Sequence, residues 1–281
     1  MNVRKFIVFV IVILILLGIY LYCENNCLEI TNYEIIDDKI PKSLDNYKIV
    51  HISDFHNTQS SKLNKDLVKV IKRENPHIIV ITGDLIDSRR TDINKALNFV
   101  KKIINFAPIF YVTGNHESRV EDYNNLKKEL TNLGVHVLDN QVEFIKIDES
   151  QLELIGVNDP TFYNKNDLSE EVIIKDNLDK LVSKSDNYKI LLSHRPELFD
   201  VYVDSNVNLV FSGHAHGGQI RFPFVGCLYI HNQVFFPKYV SGLVHKYNTF
   251  MAISRGIGNS LFPFRINNRP ELVVVTLKNK N

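Results

Sequence analysis

From Tyr47 onward the chain repeats one pattern: a short apolar run, a polar turn, then apolar positions at helical spacing. Tyr47–Ile52 reads as a buried strand. Over Ser61–Glu74, Leu63, Leu67, Val70 and Ile71 share a face, which predicts a helix that must stop at Asn75-Pro76. Residues 77–82 predict a second strand, and 93–106 a helix ended by Pro108. A third strand is expected over 109–113 and a helix over 121–133, with Gly134 after it and 135–138 strand-like beyond. This βαβα order predicts a parallel-rich sheet.

The rhythm changes at Gln141. Val142, Phe144 and Ile147, then Leu152, Leu154 and Val157, alternate on either side of Asp148-Glu149-Ser150 and predict an antiparallel hairpin, hence a second sheet. A weaker helix is expected over 168–184. Strands follow over Tyr188–Leu192, 207–211, 250–254 and 272–277. The chain ahead of Tyr47 differs. Phe6 to Tyr22 is an unbroken apolar run behind Arg4 and Lys5, about 25 Å long as a helix against a bilayer core of about 30 Å. Leu21, Tyr22 and Cys23 offer no small-residue cleavage site, so an uncleaved anchor is expected. The basic flank places the N-terminus in the cytoplasm and everything after residue 28 outside. The expected divisions are an anchor over 1–27, a linker and first strand over 28–46, and one domain over 47–281.

Composition narrows the partners. Lys plus Arg total 33 against 32 Asp plus Glu, so no global field draws in nucleic acid. Cys23, Cys27 and Cys227 are too few and too unevenly placed for a disulfide framework or a zinc knuckle.

Chemistry concentrates at the strand ends. Asp54-Phe55-His56, Gly83-Asp84-Leu85-Ile86-Asp87, Gly114-Asn115-His116-Glu117, Ser193-His194 and Gly213-His214-Ala215-His216 each follow a short apolar run. In open α/β sheets ligands bind beyond the carboxyl ends of strands, so the five segments should converge on one rim. Aspartates, an asparagine and histidines without a thiolate form a mixed O/N donor set that suits Mn, Fe or Zn. A shared carboxylate such as Asp84 can hold two divalent ions about 3.5 to 4 Å apart, the spacing used in phosphoryl displacement. Two divalent cations less two aspartates and one bridging hydroxide leave a positive excess that a phosphate ester complements.

In this order the five segments resemble the calcineurin-like metallophosphoesterase superfamily over residues 47–277. The run from Gly213 to Arg221, with Arg255-Gly-Ile-Gly and Arg269-Pro-Glu further on, is similar to its bacterial membrane-associated or exported branch. Ala215 stands where that branch often has Thr, and Glu117 where many members have Asp; neither change removes a ligand. The resemblance implies two packed mixed β-sheets flanked by helices. It implies two divalent ions, with Mn favoured, and hydrolysis by a metal-bridging hydroxide. Asp54, His56, Asp84 and His216 would take the first ion, and Asp84, Asn115, His194 and His214 the second. His116 would protonate the leaving oxygen or stabilise charge on the phosphoryl group, with Asp87 orienting its ring. The alternative is a binding module that kept the fold and lost turnover.

Gln219 and Arg221 leave the His-x-His turn on the same backbone and are the candidate contacts to the ester. Its class would be a monoester, a phosphodiester or a pyrophosphate, lipid- or envelope-linked because the domain follows so closely on the anchor. Phe222, Phe224, Tyr229, Phe235, Phe236 and Tyr239 read as hairpin packing, and His51, His77, His136, His231 and His245 as structural.

Overall fold

The computed structural model describes residues 3–163, 168–222, 226–227, 237–259 and 264–281. It opens with α1 (Val3–Asn26), a helix long and apolar enough to cross a membrane, whose apolar window is not buried by the rest of the chain. Then come β1 (Glu29–Asp37), β2 (Tyr47–Ile52), α2 (Ser61–Glu74), β3 (Ile78–Thr82), α3 (Ile93–Ile103), β4 (Ile109–Val112), α4 (Tyr123–Asn132) and β5 (His136–Val137). The second half holds β6 (Gln141–Ile147), β7 (Ser150–Gly156), α5 (Glu170–Leu181), β8 (Tyr188–Leu192), α6 (Phe199–Asp204) and β9 (Leu209–Ser212). It ends with β10 (Arg221–Phe222), β11 (Gly226–Cys227), β12 (Gly242–Lys246), β13 (Thr249–Ile253) and β14 (Glu271–Asn279).

Local chemistry explains the helix boundaries. Ser60 caps α2 by accepting the Leu63 N–H at 3.2 Å, and Asn75 ends it in the left-handed region ahead of Pro76. Asp92 caps α3 through the Lys95 N–H at 2.9 Å, and Ser169 caps α5 through the Val172 N–H. Leu63, Leu67 and Ile71 bury one face of α2, as their spacing requires.

Among the described residues the larger sheets have six strands each. The first runs β1-β14-β2-β3-β4-β5, and only the β14–β2 pairing is antiparallel. The second runs β12-β13-β9-β8-β7-β6, with antiparallel pairs at both edges and parallel strands at the centre. Both sheets are therefore mixed. Val80, Phe110, Ile190 and Phe211 belong to the core between them, while α2, α3 and α4 cover the outer face of the first and α5 and α6 that of the second. The order is helix, sheet, sheet, helix.

Four elements escape the pattern of the sequence. The short helix α6 spans under two turns, too few for a period to show, β10 and β11 have two residues each, and β12 follows an aromatic stretch with only Ser241-Gly242 to set it off. The segment expected as linker and first strand carries β1, which pairs in parallel with β14 along its whole length. Of the aromatic stretch, Tyr239 packs edge-on against Phe199 and Phe222 is 49% exposed. Phe224, Tyr229, Phe235 and Phe236, with His231, lie outside the described residues.

Candidate metal centre

The carboxyl ends of β2, β3 and β4 from one sheet meet those of β8 and β9 from the other, and each end carries one of the five polar segments. The approach is close enough to exclude side chains. A Cβ on Gly213 would overlap Ser53 Oγ and Asp54 Oδ2, and one on Gly114 would overlap Asp84 Oδ1. The donors themselves bear backbone strain: Asp54, His56, Asp84, His214 and His216 all have φ between 46° and 63°. Such left-handed residues cost about 1–3 kcal/mol each and persist only where their surroundings dictate them.

The side chains gather in groups. Asp54, His56 and His216 form one, with His216 Nε2 3.1 Å from Asp54 Oδ1 and 3.0 Å from His56 Nε2. Asp84, His194 and His214 form a second. A single oxygen links them, since Asp84 Oδ2 lies 3.5 Å from His56 Nε2 and 3.3 Å from His194 Nε2. His116 stands at the same junction, with Nε2 3.9 Å from that oxygen.

The orphaned atoms test whether cations fit. Asp54 Oδ1, Asn115 Oδ1 and His194 Nε2 are buried and accept or donate no hydrogen bond, a costly state unless an ion engages them. His194 Nδ1 points at the Thr82 carbonyl at 2.7 Å, so in the neutral ring the proton sits there and Nε2 offers its lone pair towards Asp84. Buried oxygen and nitrogen donors of this kind fit divalent ions.

Electrostatics divide the residues by neighbour. Burial opposes the charge of Asp54, yet His216 and the other imidazoles outweigh it and hold its pKa well below the carboxylate range. Asp84 is depressed likewise, its burial countered chiefly by His194 and His116. Burial lowers His56 to about 4. Burial and then Arg195 lower His214. His194 moves the other way, to about 10, because Asp84 overcomes its burial. An ion held there would require that proton to leave.

At His116 burial is again outweighed, by Asp84 and then Asp87, and the net shift is upward. Its Nδ1 lies 3.5 Å from Asp87 Oδ1 but accepts the Ser88 N–H at 3.0 Å. The directed, shorter bond decides the neutral tautomer, leaving the proton on Nε2, which faces the junction. Asp87 spends its oxygens on Arg89 and Arg90, the latter at 2.8 Å.

Several participants have no role assigned from the sequence. Glu117 accepts the N–H groups of Asp84, Ile86 and Gly114 and so ties two of the loops together. Arg195, next to His194, donates Nη1 to His214 Nε2 at 3.1 Å while Asp159 grips its Nε and Nη2. Arg265 lies behind His216. Glu117 belongs to a recognisable segment and Arg195 directly follows one. Of the expected ester contacts, Arg221 donates Nη1 to the Gly217 carbonyl and to Ser241 Oγ, and the Gln219 amide is buried without a partner. His51 binds Thr82 Oγ1 at 2.7 Å, and His77 stacks on Tyr47.

Residues 47–218 match the profile of the calcineurin-like phosphoesterases. The metallophosphoesterase YkuE of Bacillus subtilis is 30% identical over 266 residues, covering 92% of this chain and 89% of its own. The chain belongs to the calcineurin-like phosphoesterase family. It is therefore a metallophosphoesterase, an enzyme that binds divalent metal and hydrolyses phosphoester bonds. The phosphodiesterase YaeI of Escherichia coli is 28% identical to it over 273 residues, covering 91% of this chain and 90% of YaeI. In fold this phosphoesterase is similar to TT1561 of Thermus thermophilus, at a TM-score of 0.51 and 13% identity over 76% of this chain and 89% of that one.

Proposed function

We propose that the chain is a dinuclear phosphoesterase, anchored by α1, whose catalytic domain faces the outside of the membrane and acts on a lipid- or envelope-linked phosphodiester or pyrophosphate. The observation that carries the dinuclear reading is Asp84 Oδ2, one oxygen within 3.5 Å of a histidine from each group. Asp54, His56, Asp84 and His216 would hold one ion, and Asp84, Asn115, His194 and His214 the other. Bound there, divalent ions, Mn in the favoured case, supply Lewis-acid stabilisation and an activated water.

The chain's own groups do the rest. His116 presents Nε2–H at the junction, where the protonated ring gives that proton to the leaving oxygen, neutralising it, and becomes neutral imidazole. Asp84 Oδ1 accepts the His116 N–H at 2.8 Å and so fixes the loop that carries this ring. Asp87 adds negative charge behind it, which favours the protonated ring. Arg221 and Gln219 follow the His-x-His turn on the same backbone and are assigned to the non-reacting part of the ester. The outward orientation rests on Arg4 and Lys5 ahead of the apolar run, and the diester class draws support from the name of YaeI.

The test is metal content of the full chain in detergent. Two equivalents should accompany full activity, and Asp84→Ala should lose both. A single equivalent in fully active enzyme would sink the dinuclear reading.

A further inference from the structure

The last turns of α1 do not hang free below the domain. Glu24 is 4% exposed, although most of the helix ahead of it is bare. A carboxylate is buried only when paired, and Glu24 is: Oε2 accepts the Asn268 N–H at 2.7 Å and Oε1 the Arg269 Nε at 3.0 Å. Asn25 clasps Arg265 in both directions, its Oδ1 accepting the Arg265 N–H at 2.8 Å and its Nδ2 reaching the Arg265 carbonyl at 3.3 Å. Tyr20 OH donates to Asn267 Oδ1 at 2.8 Å and accepts its N–H. Residues 20 and 24 share one helix face and Asn25 stands on the adjoining side, so the end of α1 holds residues 265–269 from two sides.

What the helix holds, holds His216. The Asn268 side chain donates Nδ2 to the His216 carbonyl at 2.7 Å. It lies so close that a Cβ on Gly217 would overlap Asn268 Oδ1. The Arg265 guanidinium is wholly buried, and it donates to Asn259 Oδ1, the Arg255 carbonyl and the Asn268 carbonyl. It also donates to the Gly258 carbonyl, and Nη2 reaches within 3.4 Å of His216 Nδ1. These acceptors are all neutral, and among the described residues no carboxylate pairs with it. A buried cation placed so expensively needs a scaffold built for it. A guanidinium has donors only, so at 3.4 Å Arg265 donates to His216 Nδ1 and holds the ring with Nε2 turned to Asp54. His216 and Gly217 both have left-handed backbones, at φ 48° and 61°, so this turn depends on outside bonds to keep its shape.

We propose that the membrane-proximal end of α1 is part of the metal centre's framework: Glu24 and Asn25 hold Arg265 and Asn268, and these two are positioning residues for His216. The proposal rests on the dinuclear reading of the site and deepens it. It makes the anchor more than a tether, since the same helix that enters the membrane shapes one half of the site.

The experiment uses the full chain in detergent, with the double variant Glu24→Ala/Asn25→Ala and, separately, Arg265→Lys, which keeps the charge but loses the fork. Metal equivalents and metal affinity are measured alongside turnover. In each variant one ion should bind about 10–100-fold more weakly, the usual effect of losing an outer support, while the other stays. The turnover number should fall with little change in KM. Tyr20→Phe, which removes a helix contact to Asn267 alone, should keep both ions at parental affinity and so serves as the control for general loosening. Parental affinity for both ions in the double variant and in Arg265→Lys would overturn the proposal. So would equal weakening of both ions. If the double variant does not fold, Arg265→Lys decides alone. If the parent holds one ion, the dinuclear reading has failed, and the positioning proposal is then judged by whether that ion is weakened.

Discussion

Arg195 and Arg265 are both buried guanidiniums beside a histidine of the His-x-His turn, and their surroundings are opposite. Arg195 lies among carboxylates: Asp159 takes Nε at 2.6 Å and Nη2 at 3.1 Å, and Glu197 stands 3.4 Å from Nη1. Burial opposes its charge, Asp159 overcomes burial, and its pKa rises. Around Arg265 only neutral oxygens are engaged, burial dominates, and its pKa falls to about 10. The His214 half of the site therefore brings its own counter-charges, on loops that follow β7 and β8. In the His216 half no carboxylate among the described residues pairs with Arg265, and that half leans on residues 254–259 and 264–269 and on α1. A centre founded so unevenly should fail in two separable ways.

The largest effect should come from the one group that both halves share. Asp84→Ala removes the common oxygen, and calorimetric titration should find neither ion bound. It should also lower the His194 pKa from about 10 towards its ordinary value, because Asp84 is the main group holding it up. A His194 resonance still titrating near its parental pKa in that variant would contradict the assignment. Asp159→Ala breaks only the self-sufficient half. It removes the main partner of the Arg195 charge and leaves Glu197 at 3.4 Å, so the loss should reach at most about 3–5 kcal/mol, the cost of breaking a buried pair by removing one partner. Denaturant unfolding should register that loss, with weaker binding of the ion near His214 and an unchanged one near His216. Equal loss of both ions would erase the distinction between the halves.

His116 belongs to neither half, and that independence is measurable. His116→Ala should keep both ions and lose about 10²–10⁴ in turnover on esters with poor leaving groups, less on activated aryl esters. The pH profile follows from the sign of its shift. The His116 pKa is raised, so its acid form prevails below that pKa and is lost as pH rises through it. Turnover on poor leaving groups should fall on an alkaline limb lying above the ordinary histidine range, and the limb should vanish in His116→Ala. His194 adds a separate dependence. Its proton must leave before an ion can bind, so metal affinity should strengthen as pH rises towards about 10, by about one decade per unit for one proton released. A flat affinity between pH 6 and 9 would mean that His194 does not ligate.

The contrast also explains what could be read from the sequence. Asp54, His56, Asp84, Asn115, His116, His194, His214 and His216 declare themselves because each follows a short buried strand, and strand order alone brings those ends together. The second sheet was legible for the same local reason, since the alternation over β6 and β7 announces a hairpin. The supports were not. Arg195 and Arg265 look in sequence like any solvated arginine, and their burial is set by tertiary packing. Glu24 and Asn268 are 244 positions apart, and nothing in the apolar run signals that its polar end will be buried. Period and composition report what a segment prefers; they carry no record of which distant loop a helix end will meet.

The smallest expected effect lies at Arg221, where the two uses of one side chain can be told apart. Its Nη1 bonds the Gly217 carbonyl at 3.1 Å and Ser241 Oγ at 2.9 Å, which makes it a further brace on the weaker half of the site. The guanidinium has five donors, and those two bonds leave others for an ester oxygen. If the ester is the main partner, Arg221→Ala should raise KM for the natural ester, or lower kcat/KM, while metal content stays constant. A hydrogen bond to a charged group contributes about 1.5–3 kcal/mol, so the change should be on the order of tenfold to a hundredfold. If bracing is the main use, KM should hold and the ion near His216 should bind more weakly, as in Arg265→Lys but to a lesser degree. Unaltered kinetics across diester and pyrophosphate substrates would remove this segment from the substrate side of the site and assign Arg221 to the same supporting framework as Asn268.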